Sequence, residues 1–455
     1  MDQESKGDLR ENLHKIFKKK QVQKILFVNP PDGDKDMFNF EVAKSGRYTN
    51  FAPYGLGIIA KHIEARGYDA KILNLNNEVL KKVNETENEN NFNYKKVVEN
   101  KLTQIIDEFQ PDLIGLTCMF SMTHTSMKYI SELIRKKSDA PIAAGGVHIS
   151  NSLWNAETRD KLIEDLNKID LFFLFEAELA FSEFLDTVNN GFKSLGNLKQ
   201  ILIRIKNSYT LIKQRLRPEG EQLNIVPDHK IMESNNLSRS GKVGNFSFLK
   251  EKDENITTIL SNRGCRAQCT FCSVRNFNGV KVRQRSVQSV VDELLYLRDD
   301  QNIKHVMWLD DDLLYNTKRT IELFNEMIKQ DVGLTWDASN GVIAASVTDE
   351  IMHAAEDSGC IGVVIGMESG NPEILKQIRK PGTVKNFLKA SEILKKYPKI
   401  NSRVFLMLGF PNETFSQILD TINVSREMNM DWNYITPLQP LPNTPIGDEM
   451  IDDNL

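Results

Sequence analysis

Short apolar runs alternate with helically spaced segments twice along this chain, and that double alternation narrows the folds open to it. In the first series, residues 24–29, 70–75, 112–118, 141–144 and 170–174 read as buried strands. The spacing predicts helices over 54–66, 94–109, 124–137 and 153–168, with Gly67 closing the first. Parallel strands need crossover helices to bury both faces, so this series predicts a doubly wound, Rossmann-like α/β sheet. Ligands in such sheets sit beyond the strand C-termini, which points to the loops after Cys118 and Ala144. The alternation resumes at 256, with strands expected at 256–261, 305–309, 333–337, 362–366, 403–409 and 432–436. Helices are expected at 286–298, 317–330, 347–358, 383–396 and 414–428, so the second series suits a partial (β/α)6 barrel. The reading divides the chain into a tail (1–22), a first domain (23–190), a linker (191–250) and a second domain (251–455). Within the linker, 200–206 and 209–213 could pair as a hairpin around Asn207-Ser208.

Composition removes several function classes. Lys and Arg number 58 against 62 Asp and Glu, a net charge of −4, which argues against a nucleic-acid protein held by bulk electrostatics. No apolar stretch approaches the ~18–20 residues needed to span a bilayer. The first 24 residues interleave acids with Lys and Arg and lack an apolar segment, so no leader peptide is expected there. A soluble, cytoplasmic protein is the expectation. Five cysteines are too few for a disulfide scaffold at this length.

Three of those five, Cys265, Cys269 and Cys272, fall within eight residues in a short loop (RGCRAQCTFC) directly after the first strand of the second series. Thiolates are the usual ligands of a 4Fe-4S cube, and three of them leave one iron open to another ligand. Structural zinc is the main competitor, but it wants four closed ligands, and the nearest histidines, His229 and His305, are distant in sequence. A set of reduced thiols is the third alternative.

Cys265, Cys269 and Cys272, with Phe271 just before the third, resemble the radical S-adenosylmethionine (SAM) motif. Residues 359–380 (GCIGVVIGMESGNPEILKQIRK) and 406–414 (LMLGFPNET) are similar to later strand segments of that family. Residues 307–313 (MWLDDDL) resemble the acidic segment of its cobalamin-binding branch, class B methyltransferase-like. The resemblance implies that the three cysteines carry the cluster and that its open iron chelates SAM. Reductive cleavage would then give a 5′-deoxyadenosyl radical, the electron coming from an external donor of the flavodoxin or ferredoxin type. Glu368 and Ser369 are expected to contact the ribose or methionyl group, and Arg403 to pair with the carboxylate. The bland alternative for Glu368 and for Arg403 is a structural ion pair. Asp310, Asp311 and Asp312 are expected on one face of their strand end, with Asp311 the choice for cofactor contact.

Ahead of such a barrel, the first series resembles the cobalamin-binding fold. Gly145-Gly146 follows a strand, where missing side chains would let backbone approach a bulky cofactor. Thr117 to Ser121 would receive the nucleotide tail, and residues 53–56 (PYGL) resemble the helix start common in this branch. The chain departs from the family in two places. None of its seven histidines has Asp two positions earlier, so the resemblance implies base-off cobalamin without a histidine ligand. The usual Gly-Glu-Gly-Glu is replaced by Phe175-Glu176-Ala177-Glu178, which could narrow that edge. His148 reads as a loop histidine in ordinary hydrogen bonds, and Cys118 and Cys360 as buried small hydrophobes. The function implied is methyl transfer to an unactivated carbon of a small molecule. Cyclisation or oxidation with the same cofactors is one alternative, and a radical SAM enzyme whose N-terminal domain is a cobalamin-free binding module is the other.

Overall fold

A computed structural model describes residues 3–18, 21–205 and 208–452. The chain forms two compact units: residues up to Glu219 with Ile225–Lys242, and Gly220–Asn224 with Val243–Leu455.

The first unit is a seven-stranded sheet of β1 (Lys24–Asn29), β2 (Asp69–Asn74), β3 (Leu113–Thr117), β4 (Ile142–Gly145), β5 (Leu171–Phe173), β6 (Ile201–Ile205) and β7 (Ser208–Ile212). Their order is β2-β1-β3-β4-β5-β6-β7. The first five are parallel, and β6 and β7 add antiparallel pairs at one edge. Alternate residues serve opposite faces, as a two-residue period requires. Leu26, Val28, Ile114, Leu116 and Phe172 enter one core, while Ile25, Phe27, Leu113, Leu171 and Phe173 enter the other. Both faces are therefore covered, and the sheet is doubly wound.

Two expectations change here. The stretch 1–22 contains a helix, Gln3–Phe17, whose Leu9, Leu13 and Phe17 recur every four residues and pack into the second core. The alternating charges disguised that stripe. The stretch 191–250 is built into the two units rather than strung out as a linker. Its hairpin strands complete the first sheet, while residues 206–207 at the turn lie outside the described residues.

The second unit is a six-stranded parallel sheet in the order β15-β14-β13-β12-β11-β8. Its strands are β8 (Asn255–Ile259), β11 (Ile303–Trp308), β12 (Thr335–Val342), β13 (Cys360–Glu368), β14 (Asn401–Leu408) and β15 (Trp432–Pro437). A two-stranded ribbon, β9 (Asn262–Arg263) with β10 (Arg283–Gln284), follows β8. Val306, Trp308, Trp336, Ala338, Val363, Ile365, Val404 and Leu406 join one core. By alternation His305, Asp337, Gly362, Glu368 and Arg403 take the opposite, inner face. Phe246 fills part of that interior: a Cβ on Gly362 would lie 2.3 Å from its ring. Among the described residues no helix is long and apolar enough to cross a membrane.

Candidate active site

The cysteine loop leaves the C-terminal end of β8 and is held from three directions. Arg266, between the first two cysteines, forms a forked pair with Asp312, Nε to Oδ2 at 2.7 Å and Nη2 to Oδ1 at 2.9 Å. Its Nη2 also donates to the Leu314 carbonyl and the Ser346 hydroxyl. The Thr270 N–H donates to the Ile378 carbonyl at 3.0 Å, and the Thr270 carbonyl accepts from the Ile446 N–H at 3.2 Å. Phe271 packs against Phe410, ring centroids 6.1 Å apart, beside Ile374, Ile378 and Ile446. The last helix, Pro445–Asp452, thus folds back onto the loop.

Cys265, Cys269 and Cys272 are half-buried, and each thiol feels the charge of another in the set. Burial pushes all three up to about 11. A metal taking them would have to displace their protons, which is the usual coupling of metal binding to thiol ionisation. Among the described residues no three His, Cys, Asp or Glu side chains are gathered to share a single metal ion. A cube takes one thiolate per iron, and three soft sulfur donors in a tethered loop fit it.

Opposite the loop, Glu368 ends β13 with a φ of +67° and is buried against Lys380, whose Nζ lies 2.9 Å from Oε1. Burial alone would lower Lys380, but Glu368 and the nearby Cys269 and Cys272 thiols raise it. Gly366 makes room for this pair, since a Cβ there would lie 2.9 Å from the Lys380 Nζ. Sequence reasoning missed Lys380, although it closes the 359–380 segment that carried the resemblance. A lysine near a helix end reads as solvated, and only the fold buries it.

Other expected residues are placed differently. Asp310, Asp311 and Asp312 do not share one face. Asp310 is buried and accepts from the Ser261 N–H and hydroxyl and the Asn262 N–H, fixing the exit of β8. Asp312 is engaged by Arg266. Asp311 alone stays half-exposed, near the Cys265 and Cys272 thiols and 3.2 Å from the Asn278 amide. Ser369 is fully buried, its hydroxyl bonded to Thr421 and to the Asn371 N–H, so it shapes the turn into the next helix. Arg403 pairs in register with Val364, four residues before Glu368, so it lies roughly 13 Å lower in the sheet. Its guanidinium bonds Asn401, the Asn245 carbonyl and Tyr434 and stacks on Phe246 at 4.2 Å. The structure therefore brings Glu368 to the cysteines and leaves Arg403 below; the two form no ion pair with each other.

In the first unit, Thr117 ends β3 half-buried, Ser121 is exposed, and Gly145 ends β4 with Gly146 just beyond it, both half-buried. Beside them Met119, Phe120 and Met122 are 51%, 41% and 46% exposed, an apolar ledge beyond the strand ends. An apolar ledge rimmed by polar groups fits a corrin ring, with its flat hydrocarbon face and amide fringe. Gly146 serves an unforeseen purpose. With φ +111°, it lets the turn close on Cys118, whose carbonyl oxygen a Cβ would meet at 2.4 Å. Phe175 holds a φ of +60°, a conformation that favours glycine, and Arg215 covers its ring at 3.6 Å. Cys118 and Cys360 are buried, Cys118 pushed up to about 12 by burial.

Family models agree with this division. The B12 binding domain matches residues 44–185 and the Radical SAM superfamily matches 259–424. Cytidylyl-2-hydroxyethylphosphonate methyltransferase of Streptomyces wedmorensis is 27% identical over 89% of this chain and 76% of its own. An uncharacterized methyltransferase of Pyrococcus horikoshii is 25% identical over 96% of this chain and 84% of its own. The fold is shared with the radical SAM methyltransferase TsrM from Kitasatospora setae, solved with cobalamin and a 4Fe-4S cluster. There the TM-score is 0.72 at 17% identity, covering 95% of this chain and 78% of that one. With a B12 binding domain followed by a radical SAM domain, the chain belongs to the cobalamin-binding radical SAM enzymes.

Proposed function

We propose that this enzyme transfers a methyl group to an unactivated carbon of a small molecule, using SAM, a 4Fe-4S cluster and cobalamin. The observation that carries the reading is the set of three neighbouring thiols beside a buried Glu368–Lys380 pair, in a chain that also has a B12 binding domain. When bound, the cluster supplies the electron that breaks a carbon–sulfur bond of SAM, and cobalamin carries the methyl group. Cys265, Cys269 and Cys272 would hold three irons. Lys380 would keep Glu368 aimed, so that its second oxygen could accept from the ribose hydroxyls or the methionyl ammonium. Arg266 and Asp312 hold the loop rigid, and Phe271 with Phe410 excludes water from one side. Asp311, half-exposed near the thiols, would meet SAM or substrate. Thr117, Ser121, Gly145 and Gly146 line the cobalamin edge. An external low-potential donor of the flavodoxin or ferredoxin type would feed the cluster, which suits a cytoplasmic setting.

The deciding experiment is anaerobic. Reconstituted enzyme is given hydroxocobalamin, a low-potential reductant and SAM, and 5′-deoxyadenosine and S-adenosylhomocysteine are measured together. Both products should form, the second only with cobalamin. Deoxyadenosine alone would replace methyl transfer with cyclisation or another oxidation, chemistry for which a distant relative of 21% identity, an anaerobic magnesium-protoporphyrin IX monomethyl ester cyclase of Rubrivivax gelatinosus, gives a precedent.

A further inference from the structure

Beyond the C-terminal edge of the first sheet, four side chains from three segments form one continuous line. Ser121 Oγ lies 3.1 Å from His148 Nδ1, and His148 Nε2 lies 3.1 Å from His124 Nδ1. His124 Nε2 in turn lies 2.6 Å from Asp165 Oδ2, while Lys128 occupies Oδ1 of the same carboxylate. The two imidazoles meet edge to face at 86°. The His148 N–H of the main chain is anchored separately on the Cys118 carbonyl at 3.2 Å.

With one proton on each imidazole, the direction of every bond in this line follows from its far end. Lys128 holds the Asp165 carboxyl below the usual carboxylate range, so Asp165 is ionised and can only accept. A His124 ring carrying one proton donates it from Nε2 to that carboxylate and presents a lone pair at Nδ1. His148 donates into that lone pair from Nε2 and keeps its own lone pair at Nδ1. Burial, and then the neighbouring His124, hold His148 down at about 4, so it is neutral at pH 7. The Ser121 proton is therefore drawn inward, and only oxygen lone pairs face outward from this exposed residue.

We propose that Ser121 is a one-way hydrogen-bond acceptor at the cobalamin edge, its polarity set from Asp165 through His124 and His148. The group it suits is an N–H donor, the chemistry of the primary carboxamides on a corrin rim. Ser121 is the binding residue and the other three are positioning residues. The inference rests on the cobalamin reading for its ligand, but not for its polarity.

Asp165→Asn tests it. Lys128 keeps the amide oxygen of this variant, so its N–H₂ turns toward His124, and each bond in the line must reverse until Ser121 becomes a donor. In ¹⁵N-histidine-labelled full-length protein, His148 should change from the Nε2–H to the Nδ1–H tautomer, although Asp165 does not touch it. In hydroxocobalamin titrations followed by absorbance, S121A and D165N should each weaken affinity about 5-fold, one ordinary hydrogen bond. The double variant should be no weaker than S121A alone. An unchanged His148 tautomer, an unaltered affinity, or additive losses would each overturn the proposal. Wild-type protein that binds no hydroxocobalamin would overturn the cofactor reading instead, and the tautomer spectra would still decide the polarity.

Discussion

The first sheet and the barrel use the same parallel strands and crossover helices, yet they fix their ligand edges by different means. The barrel fastens its cysteine loop with charge: Arg266 on a fully buried Asp312, Lys380 on Glu368, and three donors on Asp310. The first sheet fastens its loops with close backbone contact at Gly146 and a line of hydrogen-bonded imidazoles ending at Ser121. A loop that must hold a cluster beside a buried lysine can offset desolvated charges against one another. A ledge for a broad, mostly uncharged macrocycle needs directional hydrogen bonds more than charge. The shared fold thus fixes where a ligand edge lies, while the local chemistry follows the ligand.

Substitutions in either half put this contrast at risk. Cys269→Ala should abolish the cluster's charge-transfer absorbance and all 5′-deoxyadenosine formation, yet leave hydroxocobalamin affinity unchanged. A loss of both would show that the two edges do not work separately. Gly146→Ala places a side chain in the left-handed region against the Cys118 carbonyl, and should destabilise the first unit by about 3 kcal/mol. Chemical denaturation followed by hydrogen exchange at β3 and β4 would locate that loss. Arg266→Met strands Asp312 without a cation. It should cost roughly 2 kcal/mol in the barrel, less than for a wholly buried pair because Arg266 is 36% exposed. Arg266→Lys should recover little, because a point charge cannot replace the fork.

Mild acid should separate the two units most subtly. His148 is held down at about 4, so the stability it contributes is present above its ordinary 6.5 and is lost as pH falls toward 4. Asp310 is raised by burial to about 6 from 3.8, so its contribution is present at low pH and is lost as pH rises through 6. Between pH 7 and 4, exchange protection at β4 should therefore fall while protection at β8 and β11 holds or rises. Parallel slopes in both would remove these two groups as the cause.

Much of this was legible in the chain. The helices at Tyr94–Phe109 and His124–Lys137 and the strand Lys24–Asn29 fall where periodicity puts them, because each has one long uninterrupted pattern. The helix Gln3–Phe17 was hidden because its stripe is only one residue wide among alternating charges. The segment 153–168 holds one helix, Ala156–Asp165, shorter at both ends than its pattern suggests, while the short helix Val147–Ser152 ahead of it has no periodic signal. The cysteine loop was visible because its three thiols are neighbours in sequence.

Everything carried by local order can thus be read along the chain: two β/α series, the thiol triplet after β8, and the polar and glycine residues after β3 and β4. Which charges meet is settled only by folding. Lys380 and Glu368 are separated by a helix, and His124, His148 and Asp165 by intervening strands and helices. The three consecutive aspartates part toward three different partners. Side-chain pairing depends on distances of a few ångströms between segments far apart in sequence. Burial then sets the charge state of each pair, so chemistry that looks interchangeable along the chain becomes specific only when the sheets close.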